Sequence, residues 1–210
     1  MLATLHKNLG ELSVLLGSMA ALVGCSRGPG RFEAPEVDAE SAAARAMELY
    51  DANDDAALNK EELAKCPGIL AQIKTYDQNA NSAVEEDEIR RRLAELLKYR
   101  TGATGLNALV LYNGRPLSGA TVVLEPEPYL GDQVQKAEGV TDGAGSADLG
   151  IPQEFVPEHL RRIKCVHYGT FKVRVTHPTV ELPAKYNTAT ELGYETQPGD
   201  PYVRFALSSK

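Results

Sequence analysis

The stretch that decides the first part of the fold is DANDDAALNKEE at residues 51–62, which returns in outline as DQNANSAVEEDE at residues 77–88. The two twelve-residue stretches align position for position. Each has Asp first, Asn third, Asp or Asn fifth and Glu twelfth, and the eighth residues are the aliphatic Leu58 and Val84. Oxygen-bearing side chains at alternate positions predict two tight loops, each of which aims several oxygen atoms at one point.

The spacing of these oxygens matches the coordination chemistry of calcium. Ca²⁺ takes roughly six to eight oxygen ligands at about 2.3–2.6 Å, from carboxylates, side-chain amides and backbone carbonyls. In each loop the seventh residue would supply its carbonyl and the twelfth a bidentate carboxylate. The predicted ligands are Asp51, Asn53, Asp55, Ala57 and Glu62 in loop 1 (residues 51–62), and Asp77, Asn79, Asn81, Ala83 and Glu88 in loop 2 (residues 77–88).

The segment around the loops, about residues 42–99, resembles the EF-hand family. Apolar residues recur at helical spacing before and after each loop, which predicts flanking helices. The resemblance implies a helix–loop–helix pair with Ca²⁺ as its cofactor, in which Leu58 and Val84 pair in a short backbone ladder. Because few residues separate the loops, and Pro67 and Gly68 lie among them, we expect the two inner helices to have about two turns each.

The loops depart from the family pattern in two respects. The sixth position, which is Gly in the family because it needs a positive φ, is Ala56 in loop 1 and Ser82 in loop 2; a side chain there costs about 1–2 kcal/mol. Loop 2 also has fewer ligand carboxylates, although Glu85 at its ninth position would add one. We expect a structural ion site suited to millimolar calcium. Of the two loops, loop 1 is the one for which calcium binding is more strongly expected. The alternative is that Asp and Asn only cap helices and form turns.

From about Gly105 the pattern changes to short alternating runs separated by turn signals such as Asn113-Gly114 and Asp142-Gly143. This change predicts an α+β chain of two domains, a helical calcium-binding unit at residues 42–101 and a strand-rich unit at residues 102–210. The expected strands are residues 107–112, 121–125, 134–140, 146–149, 170–177, 190–197 and 202–207.

Four stretches of the strand-rich half resemble the transthyretin-like, carboxypeptidase-regulatory-type domain. They are YNGRPLSGATV at 112–122, TDGAG at 141–145, TFKVRV at 170–175 and PAKYN at 183–187. The resemblance covers about residues 105–208. It implies a transthyretin-like β-sandwich, and the seven short expected strands predict a Greek-key arrangement. We expect this sandwich to be non-catalytic and to bind a partner or act as a spacer.

Two alternatives to this function remain open. Some members of the wider fold are enzymes, so the first is an envelope enzyme with an iron site on the sandwich, built from His167, Tyr168 and His177. The second is a carbohydrate- or protein-binding module with degenerate calcium loops. The sequence has no nucleophile elbow, phosphate-binding loop or zinc-protease pattern. We therefore expect a protein that is not an enzyme, with these histidines and His159 on the surface or in turns.

The N-terminus predicts export. Residues 12–24 form an apolar run that is too short to span a bilayer, which needs about 20 residues. The run ends in Leu-Val-Gly-Cys at residues 22–25, which resembles the lipobox of bacterial lipoproteins. The resemblance implies a signal peptide at residues 1–24, lipidation of Cys25, a tether at residues 25–41, and a lipid-anchored protein of the cell envelope. The alternative is a buried N-terminal helix with an incidental Cys.

Charge and cysteine content set further expectations. The net charge is −7 and Trp is absent, so a nucleic-acid partner is not expected, because affinity for a polyanion comes mainly from neutralising its phosphates. The basic run Arg90–Arg92 is interpreted as a solvated helix face. In an exported protein Cys66 and Cys165 would form a disulfide, or they would remain two buried thiols.

Overall fold

The structure is a computed structural model that describes residue 32 and residues 34–99 and 101–210. The predicted signal peptide and Cys25 lie outside the described residues. The first described helix, α1, spans Ala39–Tyr50 and begins after Asp38, whose carboxylate accepts a 2.8 Å hydrogen bond from the Ser41 backbone N–H. The remaining α-helices are α2 (Lys60–Leu63), α3 (Pro67–Leu70), α4 (Ile73–Tyr76) and α5 (Glu86–Leu97).

The segment between the two loops is more broken than expected. Instead of two helices of about two turns, it forms three helices of four residues each, α2, α3 and α4. The reason is local, because Pro67 lacks a backbone N–H and begins α3 as a new turn. Helices this short gain little from their own hydrogen bonds, so packing against other elements must stabilise them.

The two loops pair with each other through two strands of two residues each. Strand β1 (Ala57–Leu58) runs antiparallel to β2 (Val84–Glu85), and Leu58 lies opposite Val84. Both of these aliphatic side chains are fully buried. The predicted ladder between the eighth residues of the loops is therefore confirmed.

The chain after residue 102 is rich in strands, so the protein contains both helices and sheets and belongs to the α+β class. The predicted strands form, with ends that shift by up to three residues; the expected strand 134–140, for example, begins at Ala137. The strands are β3 (Ala103–Thr104), β4 (Leu106–Tyr112), β5 (Arg115–Pro116), β6 (Thr121–Pro126), β7 (Ala137–Val140), β8 (Ser146–Leu149), β9 (Val166–His167), β10 (Gly169–Thr176), β11 (Gly193–Thr196) and β12 (Tyr202–Leu207).

These strands form two larger sheets and one small ribbon. The first sheet has the order β11-β10-β6-β7, in which neighbouring strands are antiparallel. In the second sheet β4 is central, with β12 parallel to it and with β5 and β8 antiparallel to it. Strands β3 and β9 form the ribbon. Four 3₁₀ turns lie in the connections, at Pro128–Leu130, Gln153–Phe155, Glu158–Leu160 and Ala184–Tyr186.

The helices and the sheets share one buried core. Alternate residues of β6 and β10, such as Val122 and Val173, are fully buried, as the period of a half-buried strand requires. The same apolar cluster continues into the helices through Ala46, Ile69 and Leu93. None of the described helices is long and apolar enough to cross a membrane.

Candidate metal centre

Both loops adopt the backbone conformation that the sixth position requires. Ala56 has φ 65° and Ser82 has φ 69°, so each non-glycine residue lies in the left-handed region. The fourth residues, Asp54 and Ala80, also have positive φ, at 58° and 59°, which the sequence pattern did not predict. The repeated backbone values mean that the two loops turn in the same way despite their different side chains.

The first residue of each loop accepts hydrogen bonds from the backbone across the turn. In loop 1, Asp51 Oδ1 accepts from the Asp55 N–H at 3.3 Å, and its Oδ2 accepts from the Ala56 N–H at 3.0 Å. In loop 2, Asp77 accepts the equivalent bonds from the N–H groups of residues 81 and 82, at 3.1 and 2.9 Å. Each first carboxylate is thereby held inside its loop.

The third and fifth side chains repeat the same arrangement. Asn53 Oδ1 accepts from the Asp55 N–H at 3.1 Å, and Asp55 Oδ1 accepts from the Ala57 N–H at 3.0 Å. In loop 2, Asn79 and Asn81 accept the equivalent bonds from the N–H groups two residues later, at 3.0 and 2.9 Å. Side-chain oxygens at positions one, three and five are therefore oriented by the same peptide groups in both loops.

The twelfth residues lie against the loops from the helices that follow them. Glu62 Oε1 accepts from the Ala52 N–H at 2.9 Å, and its Oε2 accepts from the Asn59 N–H at 3.0 Å. Glu88 accepts the equivalent bonds from the N–H groups of residues 78 and 85, at 2.9 and 3.0 Å. The residues Glu62 and Glu88 are only 6% and 1% exposed. Among the described residues no Lys or Arg forms an ion pair with either carboxylate.

The ninth positions differ between the loops. In loop 1 Asn59 is the N-cap of α2, and its Oδ1 accepts from the N–H groups of residues 61 and 62. In loop 2 Glu85 Oε1 accepts from the side-chain amides of Asn79 and Asn81, at 3.2 and 3.0 Å. The Glu85 carboxylate thus lies beside Asn81, which stands where loop 1 has Asp55. With Glu85 counted, loop 2 has three candidate ligand carboxylates, as loop 1 does.

The donor set suits calcium better than a transition metal. The loops present carboxylate and amide oxygens, which hard cations prefer, and the predicted ligand set contains no thiolate or imidazole. The described part of the chain has no cluster of three or more His, Cys, Asp and Glu side chains placed to hold a metal.

His167, Tyr168 and His177 do not come together as one group. His167 precedes β10 and His177 follows it, so the two lie at opposite ends of an eight-residue strand that is about 26 Å long. His177 caps a turn, where its Nδ1 accepts from the Val180 N–H at 2.9 Å. These three side chains therefore do not form the iron site that the enzyme alternative requires.

The expectation that His167 is a surface or turn residue is wrong. It lies in β9, is 6% exposed, and accepts a 3.0 Å hydrogen bond at Nδ1 from the Gln135 N–H. Its ring also packs edge-on against Phe32, with ring centroids 5.4 Å apart. Burial disfavours the charged imidazolium and lowers the pKa of His167 to about 4.

The interpretation of Arg90–Arg92 as a solvated face fails at one residue. Arg90 and Arg91 pair with Asp87 on the surface of α5. Arg92, by contrast, has a side chain only 12% exposed and forms an ion pair with Glu195 of β11. The reason is the helical period, which turns the third residue of the run toward the sheets.

Two buried carboxylates were missed by sequence reasoning. Glu127 and Glu195 are 0% and 1% exposed, and both contact the helices from the strand-rich part. The sequence contains one indication of such a site, an acidic residue within a predicted strand, as in β11. Because ionised groups are buried only when they have partners, such a residue predicts a polar partner across the core.

Within the described residues, Cys66 and Cys165 are both buried free thiols. Of the two alternatives that the sequence left open, a disulfide or two buried thiols, the structure therefore agrees with the second. Burial raises the pKa of both thiols.

Comparison of the chain with protein-family models gives no match, and comparison with curated proteins gives none either.

Proposed function

We propose that the chain is a calcium-binding protein in which loops 1 and 2 form an EF-hand-like pair. The observation that carries the proposal is the recurrence of six equivalent hydrogen bonds in the two loops, which hold the first, third, fifth and twelfth side chains. Simple helix caps and turns would not require the six hydrogen bonds of one loop to recur at equivalent positions of the other. Buried glutamates without cationic partners also favour a bound cation.

Each part of a loop has a definite task in this proposal. The first, third and fifth side chains orient oxygen atoms, the seventh residue offers a carbonyl, and the twelfth offers two carboxylate oxygens. The ligands are those predicted from the sequence, Asp51, Asn53, Asp55, Ala57 and Glu62, and Asp77, Asn79, Asn81, Ala83 and Glu88, with Glu85 added in loop 2. Bound calcium supplies positive charge to offset the repulsion among the carboxylates.

The site is structural in this proposal rather than a fast signalling switch. Helices of four residues stabilise themselves poorly, and ligand binding to the folded state adds a free energy of RT ln(1 + [Ca²⁺]/Kd). Calcium therefore stabilises the helical segment when its concentration exceeds Kd.

The remaining parts of the chain are proposed to serve this unit. We interpret the two larger sheets as a transthyretin-like β-sandwich that binds a partner or acts as a spacer and is not catalytic. We interpret Cys25 as the site of lipid attachment, so that the protein is exported and held at a bacterial envelope membrane. The separation of roles supports this proposal, since the candidate metal ligands lie in the helical segment.

Calorimetric titration of the full chain with Ca²⁺ tests the proposal. Glu62→Gln and Glu88→Gln each replace one bidentate carboxylate, and each should remove the heat of one of two sites. Glu61→Gln and Glu86→Gln are matched controls, since they remove the same charge from exposed positions beside the ligands. Heats that are unchanged by both ligand substitutions would contradict calcium binding by these loops and would leave a binding module with degenerate loops.

A further inference from the structure

The residue before each loop makes the same kind of contact with the strand-rich part. Tyr50 ends α1 and Tyr76 ends α4, so each immediately precedes the first Asp of a loop. The Tyr50 hydroxyl donates to Glu127 Oε2 at 3.1 Å. The Tyr76 hydroxyl donates to Glu195 Oε2 at 2.9 Å. The repeat that relates the two loops therefore includes the tyrosine before each loop and its hydrogen bond to a buried carboxylate.

Each of these carboxylates also contacts a second helix. Glu127 Oε1 accepts a 2.9 Å hydrogen bond from the backbone N–H of Gly68 in α3, and its Oε2 lies 3.7 Å from Lys172 Nζ. Burial raises the pKa of Glu127. Glu195 accepts a hydrogen bond from Arg92 Nε of α5 at 3.1 Å. Both carboxylates are thus held from several sides, so each gives its tyrosine a fixed partner.

Each tyrosine is directly followed in the chain by a predicted ligand, and that ligand is also hydrogen-bonded to the helix that the tyrosine ends. The N–H of Asp51 donates to the carbonyl oxygen of Met47 at 2.9 Å, and the N–H of Asp77 donates to that of Ile73 at 2.8 Å. The first ligand of each loop is therefore the last hydrogen-bonded residue of the helix that ends at the tyrosine. A helix end that is fixed against the sheets fixes the backbone of the ligand that follows it.

We propose that Glu127 and Glu195 are positioning residues for the two calcium loops, and that they act through Tyr50 and Tyr76. Calcium binding and the docking of the helices on the sheets are then one coupled equilibrium. The inference rests on the proposed calcium function. By thermodynamic reciprocity, a contact that raises calcium affinity is itself strengthened when calcium binds.

The test measures each loop separately in the full chain. Loop 1 is measured by calorimetry in the Glu88→Gln background and loop 2 in the Glu62→Gln background. Tyr50→Phe removes one hydroxyl and should raise the Kd of loop 1 about five-fold, the effect of one hydrogen bond, while loop 2 is unchanged. Tyr76→Phe should do the reverse. Tyr202→Phe is the control, because Tyr202 is 72% exposed on β12.

The outcomes separate this inference from the proposed function. If neither single-loop background takes up calcium, the proposed function fails. If both take it up, and each tyrosine substitution weakens the two loops equally or neither at all, the positioning role is wrong and the tyrosines only support the fold.

A second measurement needs no substitution. The Gly68 amide donates to Glu127, so its hydrogen exchange reports directly on the docking of α3. Saturating calcium should slow this exchange. An unchanged rate in protein that calorimetry shows to be calcium-loaded would overturn the coupling.

Discussion

The hydroxyl of Tyr76 and the carboxylate of Glu195 form a 2.9 Å hydrogen bond across 119 residues of sequence. Arg92 pairs with the same carboxylate, so one closed polar cluster joins α4, α5 and β11. Tyr76 is fully buried, and burial raises the pKa of its hydroxyl. The hydroxyl therefore stays protonated at neutral pH and donates to Glu195.

The cluster makes a prediction for Arg92. Arg92→Met removes the only cation that pairs with Glu195 in the described part of the chain, and leaves its carboxylate buried. We expect a loss of about 3–5 kcal/mol in the free energy of unfolding, as for other broken buried pairs. Urea unfolding measures it. The neighbouring Arg91→Met is the control; its pair with Asp87 is exposed, and it should cost less than about 1 kcal/mol. Equal losses from the two substitutions would show that the Glu195 pair is no stronger than a surface pair.

Gly193 is predicted to be essential for the contact between α3 and β11. A Cβ on Gly193 would overlap the carbonyl oxygen of Pro67, and the obstruction is backbone that cannot rotate away. Gly193→Ala should therefore cost about 1–3 kcal/mol, as overpacking does. Gly143→Ala is the control, since nothing lies within 4 Å of its Cβ position. A urea midpoint that is the same for both variants would mean that α3 can withdraw from β11 without loss of stability.

The sequence predicted the parts of the molecule that follow a local rule. Alternation of apolar residues located β6, β8, β10 and β12 to within a residue or two, because a half-buried strand has a period of two. The positive φ of Ala56 and Ser82 followed from the position that each holds in its loop. These features need no knowledge of what lies across the core.

The features that the sequence did not predict depend on contacts between distant segments. The helical period separates Arg92 from Arg91, but the partner of Arg92 is Glu195 of β11, which lies 103 residues further along the chain. His167 was expected on the surface or in a turn, yet its strand pairs with β3 and its side chain is buried. Glu127 and Glu195 are recognisable as partners of Tyr50 and Tyr76 only when the helices lie on the sheets. Local patterns therefore predicted the positions of the loops. The residues that contact the loops from distant segments could be identified only from the folded structure.

Relief of backbone strain should strengthen loop 1. Ala56 has a φ of 65°, which costs an alanine about 1–2 kcal/mol and costs glycine almost nothing. Ala56→Gly should therefore tighten calcium binding several-fold and raise Tm in the presence of calcium. Ala71→Gly is the control, because Ala71 is exposed and has an ordinary helical φ of −62°. That substitution should destabilise slightly and leave affinity unchanged. A loss of affinity in Ala56→Gly would mean that the alanine methyl contributes to the loop more than its strain costs.

His167 predicts a specific acid sensitivity. Its pKa is about 4 in the folded protein and about 6.5 when exposed, so folding favours the neutral ring. The resulting stability is fully present above pH 6.5 and is lost as the pH falls toward 4, by about 3 kcal/mol in total.

Two substitutions of His167 isolate this contribution. His167→Asn cannot gain a proton in this range, and its side-chain oxygen can still accept from the Gln135 N–H. Its urea stability should therefore fall less than that of the unsubstituted chain between pH 7 and pH 4. His167→Leu should show the same flatter profile but lower stability at pH 7, because the Gln135 N–H then loses its acceptor. If the profile of His167→Asn instead runs parallel to that of the unsubstituted chain, the ring takes up its proton without cost, and another group is responsible for any acid sensitivity.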